Sequence, residues 1–181
     1  MELTDGTIRL RPIRYSDKRW WARVQRENEK WLKPWEATFP DGSQPPKFRQ
    51  MVRAFRRDAR KGRSENYLIE QDSVAVGFIA LGGISYGPAR MAFIGYWITE
   101  NFANRGIVTK AVLLLTRHAF DDLRLHRIEI NVRPENQPSI RVAMKAGYEL
   151  EGKRSKYLHI DGAWRDRKST RLNSSHITIS Y

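Results

Sequence analysis

Short runs of alternating apolar and polar residues, separated by segments with apolar residues every three or four positions, predict an α/β chain. Residues 7–13 alternate through Ile8, Arg9, Leu10 and Arg11, which suits a half-buried strand with Pro12 at its end or at an edge. Ser16 or Asp17 is placed to cap a helix over 17–31, with Trp20, Val24 and Trp31 near one face. A Pro-, Gly- and aromatic-bearing loop follows over 33–46, long enough to suggest a role. Phe48, Met51, Val52 and Phe55 then keep the spacing of a buried stripe on a helix over 47–61. Strands are predicted over 66–70, 74–82 and 89–99, the first two joined by Gln71-Asp72-Ser73. A helix over 107–122 carries Val108, Val112, Leu115 and Ala119 on one side, and a strand over 127–132 comes next. A helix over 139–145 stops at Gly147, and a last clear strand covers 148–160. The order β-α-α-β-β-β-α-β-α-β makes one domain, with helices against a mixed sheet.

Residues 168–181 change character, being rich in Ser, Thr and Asn without a helical stripe. Two readings stand: a native edge strand extended by Ile177-Thr178-Ile179, or a translated adaptor or vector tail outside the fold. The second is favoured, which sets the domain at 7–166 and an atypical, non-native tail at 167–181.

The 181-residue length suits one domain, and the absence of cysteine excludes disulfides, a zinc ribbon and a cysteine nucleophile. No basic, apolar leader opens the chain and no apolar run approaches the roughly 18 residues of a membrane span, so a cytoplasmic protein with no membrane contact is expected. Lys and Arg number 33 against 20 Asp and Glu, a net charge of +13 that attracts anions without choosing among nucleic acid, ribosome, acidic protein or a phosphate-bearing cofactor. The four histidines lack metal-ligand spacing, so no metal is expected, and His118 reads as a partly buried helix residue.

Arg105-Gly106-Ile107-Val108-Thr109 opens a helix directly after a strand. Unpaired N–H groups and the positive dipole end there suit a phosphate, and Gly106 permits close approach, although an ordinary loop has the same look. A second strand-to-helix junction carries Asn131-Val132-Arg133-Pro134-Glu135-Asn136-Gln137-Pro138-Ser139, followed by Lys145-Ala146-Gly147-Tyr148.

With these segments, Ile8-Arg9-Leu10-Arg11-Pro12, Gly95-Tyr96-Trp97-Ile98 and Asp161-Gly162-Ala163-Trp164-Arg165-Asp166, the chain resembles the GCN5-related N-acetyltransferase superfamily over 7–166. Within it, the ribosomal-protein-alanine N-acetyltransferase branch is most similar. The resemblance implies a single-domain α/β fold with helices on both faces of a mixed sheet and a splayed cleft for acetyl-CoA. It implies main-chain contacts to the cofactor near Trp97 and Ile98, and a pyrophosphate held by Arg105, Gly106, Ile107, Val108 and Thr109. Asn136 is expected to contact the cofactor or to order its helix. Ser139 is expected either to protonate the departing thiolate or merely to cap that helix.

Glu129 is a candidate base or an ordinary carboxylate paired with Arg127. Trp35 is a candidate substrate wall, most of the other tryptophans being assigned to packing. Two positions depart from the family pattern: Ala103 and Val108 stand where a Gln or Arg and a second small residue are usual. The tyrosine acid of some relatives falls at Ala143, and the unusual tail occupies the space of the family's last strand.

The implied acceptor is a primary amine, foremost a protein N-terminal α-amine such as that of a ribosomal protein. A lysine, polyamine or small-molecule acceptor is the alternative, and a catalytically silent ribosome- or RNA-binding module is the rival from another class. The arginine-rich helix over 47–61 would supply a ribosome contact or be a solvated face. The sequence leaves open whether the chain is a monomer or a homodimer.

Overall fold

The computed structural model describes residues 1–176. Strands β1 (Leu3–Asp5) and β2 (Ile8–Pro12) lead into helices α1 (Lys18–Glu27), α2 (Glu29–Leu32) and α3 (Phe48–Arg60). Strands β3 (Glu65–Gln71), β4 (Val74–Ser85) and β5 (Met91–Ile98) follow, then α4 (Ile107–Asp121), β6 (Arg127–Val132), α5 (Gln137–Lys145), β7 (Glu149–Ile160) and β8 (Ala163–Asn173). The eight strands form one mixed sheet in the order β1-β2-β3-β4-β5-β6-β8-β7, parallel only between β5 and β6. The expected α/β fold is therefore present.

Strand alternation sends neighbouring residues to opposite faces. Tyr67 and Ile69 of β3 join Ile79 and Leu81 of β4 under α4 and α5, whereas Leu68 joins Ile13 and Val52 in a second cluster. The stripe read on α3 closes that second cluster, with Phe48, Met51 and Phe55 packed around fully buried Val52. Here Trp21, Phe78 and Trp97 meet with ring centroids 5.4–6.2 Å apart, and Trp20 stacks on Trp97 at 6.1 Å. Helices thus cover both faces of the sheet.

The single helix expected over 17–31 is interrupted at Asn28, whose φ of −113° leaves the helical region. Its side chain accepts from the Glu100 amide at 2.9 Å, which ties the α1–α2 junction to the loop after β5. Pro12 ends β2 beyond the reach of β1, whose register stops at Leu10, so its missing N–H costs no ladder bond. The loop after α2 docks on the β7–β8 hairpin through an Ala37–Ile160 bridge and a Thr38 amide donating to the His159 carbonyl at 3.0 Å.

Asp161 and Gly162, both at positive φ, join β7 to β8 in a two-residue hairpin turn. The strand beyond them begins at Ala163, ahead of the segment read as a tail, and is not the edge strand of the alternative reading. It inserts between β6 and β7, and its register runs Val132–Lys168 to Arg127–Asn173. Lys168–Asn173, set apart from the domain by composition, are thus sheet residues, with Leu172 buried and Thr170 donating to the Ile130 carbonyl at 2.9 Å. Ile177-Thr178-Ile179 lie outside the described residues.

His118 of α4 is enclosed between Glu65 on β3 at 2.8 Å and Asp122 at 2.6 Å, and Tyr67 donates to the same Glu65 oxygen. Burial opposes its charge, yet both carboxylates raise its pKa above 6.5. The stabilisation is complete below pH about 6.5, the unfolded value, and is lost as pH rises through the folded one. His118→Gln should therefore lower stability by about 1–3 kcal/mol at pH 6. Thermal unfolding at pH 6 and pH 9 checks this, because the gap between wild type and variant should shrink at the higher pH.

Candidate functional site

The parallel β5–β6 ladder has three residue pairs, ending at Phe93–Glu129, although β5 continues to Ile98 and β6 to Val132. Beyond that point β5 keeps only β4 as a neighbour. The two lie very close there: a Cβ on Gly77 would sit 2.5 Å from the Trp97 carbonyl oxygen, so only glycine fits. The Ile98 carbonyl accepts from the Trp31 indole at 2.9 Å and so points away from β4. By alternation the Tyr96 main chain faces the same open side, while that of Trp97 turns to β4. The expected splay is present, and a cavity of about 730 Å³ occupies it.

One wall of the cavity is the start of α4. Gly106 stands before the helix at φ +75°, where a side chain is strained, and a Cβ there would meet nothing within 4 Å. Because Lys110 is the first residue to bond back to the Gly106 carbonyl, the amides of Ile107, Val108 and Thr109 have no intrahelical acceptor. The branched Val108 side chain packs into the core and leaves this end open. Arg105 lies over the Phe102 ring at 5.1 Å, and Arg141 and Lys145 of α5 line the same cavity. Open amides, a backbone with no side chain in the way and three cations together fit a diphosphate.

The facing wall comes from residues 21–51 and includes Trp21, Trp31, Trp35 and Glu36. Trp35 lies under the Arg133 guanidinium at 5.4 Å, and Arg133 donates to the Pro34 carbonyl at 2.6 Å. Asn136 orders its helix: its side-chain oxygen accepts from the Ser139 amide at 3.1 Å. Ser139 therefore sits inside the first turn and is not itself the cap. The Tyr96 phenol donates to the Ser139 carbonyl at 3.1 Å, and burial raises its pKa so that it keeps its proton.

Trp97, Ile98, Arg105, Gly106, Ile107, Val108, Thr109, Asn136, Ser139 and Trp35 all line this one cavity. Glu129 does not. It is buried against Arg127 at 2.7 Å and Arg154 at 2.9 Å, on the far side of the point where β5 and β6 part. Of the two readings the carboxylate paired with Arg127 is the one the structure shows, and only the second cation, Arg154 from β7, had no local signal. Ala143, where the resemblance would put a tyrosine acid, is fully buried in the core. Sequence reasoning missed Tyr96, Glu36, Arg141 and Lys145 as cavity residues. Only Tyr96 left a signal, by alternating with Trp97 on the strand. Among the described residues no group of three or more His, Asp or Glu side chains could hold a metal, and no helix is long and apolar enough to cross a membrane.

A mixed sheet opened beside a bare helix N-terminus is the architecture of acyl-CoA-dependent acetyltransferases. The family described as "Acetyltransferase (GNAT) domain" matches residues 7–149, and the chain belongs to it. It is an N-acetyltransferase related to the enzymes that modify ribosomal proteins. The "Probable N-acetyltransferase YjcK" of Bacillus subtilis is 32% identical over 170 residues, covering 92% of this chain and 93% of the relative. The "[Ribosomal protein uS5]-alanine N-acetyltransferase" of Escherichia coli is 27% identical over 177 residues, covering 96% and 91%. Among solved structures, Mycobacterium smegmatis RimJ in complex with CoA-disulfide superposes with a TM-score of 0.91 at 32% identity, covering 99% of this chain and 89% of that one.

Gly106→Asp adds both a strained side chain and a negative charge where the open amides converge. Calorimetry should find acetyl-CoA binding weakened at least about tenfold, with the circular dichroism of the fold retained.

Proposed function

We propose that the chain transfers the acetyl group of acetyl-CoA to a protein N-terminal α-amine, with a ribosomal protein as the physiological acceptor in the cytoplasm. The observation that carries this reading is the cavity's polarity. The open α4 amides with Arg105, Arg141 and Lys145 form one wall, and aromatic rings with a carboxylate form the other. The Escherichia coli enzyme named for ribosomal protein uS5 and the CoA-bound Mycobacterium smegmatis RimJ support it.

In this reading the α4 amides and Arg105 hold the pyrophosphate, and the open main chain of Tyr96 and Ile98 receives the pantetheine. Acetyl-CoA, when bound, supplies an activated acyl carbon. A main-chain N–H on the open side of β5 stabilises the oxyanion. Ser139, with the protonated Tyr96 beside it, delivers a proton to the departing thiolate. An α-amine, with a pKa of about 7.7–8.0 against about 10.4 for lysine, reaches its neutral form far more readily near neutral pH.

The test is acetylation of peptides bearing a free N-terminus and an internal lysine. Label on the α-nitrogen alone, with none on the lysine, is expected. Label on lysine, or efficient use of a small polyamine, would move the acceptor to the alternative class.

A ribosome contact is proposed for α3, where Arg49, Arg53, Arg56 and Arg60 make no ion pair among the described residues. Arg49 and Arg56 lie over the Tyr15 ring at 5.9 and 5.4 Å, which spreads the positive charge along one face. Arg53→Glu with Arg56→Glu should weaken co-sedimentation with ribosomes and flatten its salt dependence, while leaving peptide acetylation unchanged.

A further inference from the structure

We infer that Glu36 binds the ammonium group of the acceptor and takes the proton whose removal makes it a nucleophile. The inference deepens the acetyltransferase reading above and rests on it. Among the described residues that line the cavity, Glu36 is the sole carboxylate. Among the described residues its side chain makes no hydrogen bond or ion pair, in a protein where Glu65, Glu70 and Glu129 are each bound by cations.

Its backbone is nevertheless fixed on both sides. The Glu36 amide donates to the Lys33 carbonyl at 3.3 Å, and its carbonyl accepts from Asp161 at the β7–β8 turn, also at 3.3 Å. A carboxylate on the cavity wall, its backbone held and its side chain without a counter-charge among the described residues, is arranged to receive a cation from outside. Trp31 and Trp35 line the same cavity, and aromatic rings favour the same charge.

The surroundings suit a base as well as a binder. Partial desolvation raises the Glu36 pKa above its ordinary value, and the Glu29 charge adds to the effect. The charged groups on the elements around it are Lys33 in its own turn, Arg133 over Trp35, and Arg105, Arg141 and Lys145 across the cavity. His159, held to Thr38, lies on the hairpin behind. A carboxylate whose pKa is raised is closer in proton affinity to an α-amine than an ordinary one, which eases the transfer.

The protons balance. Glu36 takes one proton from the R–NH3⁺ acceptor and releases it to water at the cavity mouth. The C–N bond then forms as the C–S bond breaks, and a remaining proton of the nitrogen passes to the thiolate sulfur through Ser139. The sum is one amide, one thiol and one proton for each ammonium and thioester consumed.

Glu36→Gln keeps shape and removes both charge and basicity. With the full chain and a peptide bearing a free N-terminus, kcat/KM at pH 7 should fall about 10²-fold. The acid limb of the pH profile should be lost, and acetyl-CoA affinity by calorimetry should stay within about twofold of wild type. Glu36→Asp should restore part of the rate together with the acid limb. Wild-type turnover accompanied by an unchanged Glu36→Gln rate and profile would overturn this inference and leave the acetyltransferase reading intact. Absence of turnover by the wild-type chain on every amine would overturn both.

Discussion

A parallel ladder that stops after three residue pairs is the constraint on which this molecule's chemistry depends. Strands that remained paired would satisfy each other's main chain and leave no room between them. Once β5 and β6 part, the main chain of β5 from Ile94 onward needs other partners, because a buried polar group left without one is costly. Part of the demand is met from α1 and α2: the Trp31 indole takes the Ile98 carbonyl, and Asn28 takes the Glu100 amide just beyond the strand. The same bonds that cap the exposed end of β5 also pin the wall carrying Trp35 and Glu36. The walls of the cleft and the reason for its opening are therefore one arrangement.

The charge distribution follows the same division. On the C-terminal part of the sheet, Arg127, Arg154 and Arg171 are neutralised by Glu129 and Glu151. Near the N-terminal edge, Arg11 is gripped by Asp17 at 2.8 Å and Glu70 at 2.6 Å, which draws the Asp17 carboxyl below its ordinary range. Within the cleft Arg105, Arg141 and Lys145 make no ion pair among the described residues, and neither does Glu36. Structural charges are paired, whereas those facing the cavity stay available to a ligand.

Much of this was legible from residue pattern. The α3 stripe and the α4 apolar side correspond to buried residues, because a helix of period 3.6 declares its core face locally. The open start of α4 was legible from Gly106 before an apolar helix, and the residues that the family resemblance places at the cofactor line the cavity. What was missed depends on contacts between distant segments. The pairing of Glu129 with Arg127, two residues away, was legible, but its burial under a second cation, Arg154, was not, because that arginine arrives from β7. Glu36 lies in a segment without periodicity and is positioned by a hairpin more than a hundred residues later. The Asp161-Gly162 pair carries part of the family resemblance, yet it is also a strong hairpin signal and announces β8. Composition masked that strand, since Ser169 and Thr170 resemble linker residues but occupy paired, buried positions.

Hydrogen exchange of the full chain with and without saturating CoA tests the central claim most directly. If the splayed strands and the open end of α4 form the cofactor site, CoA should slow exchange of the amides at 105–109 and at 96–98, while those along the exposed face of α3 keep their rates. Protection confined to α3, or none at the start of α4, would contradict the account.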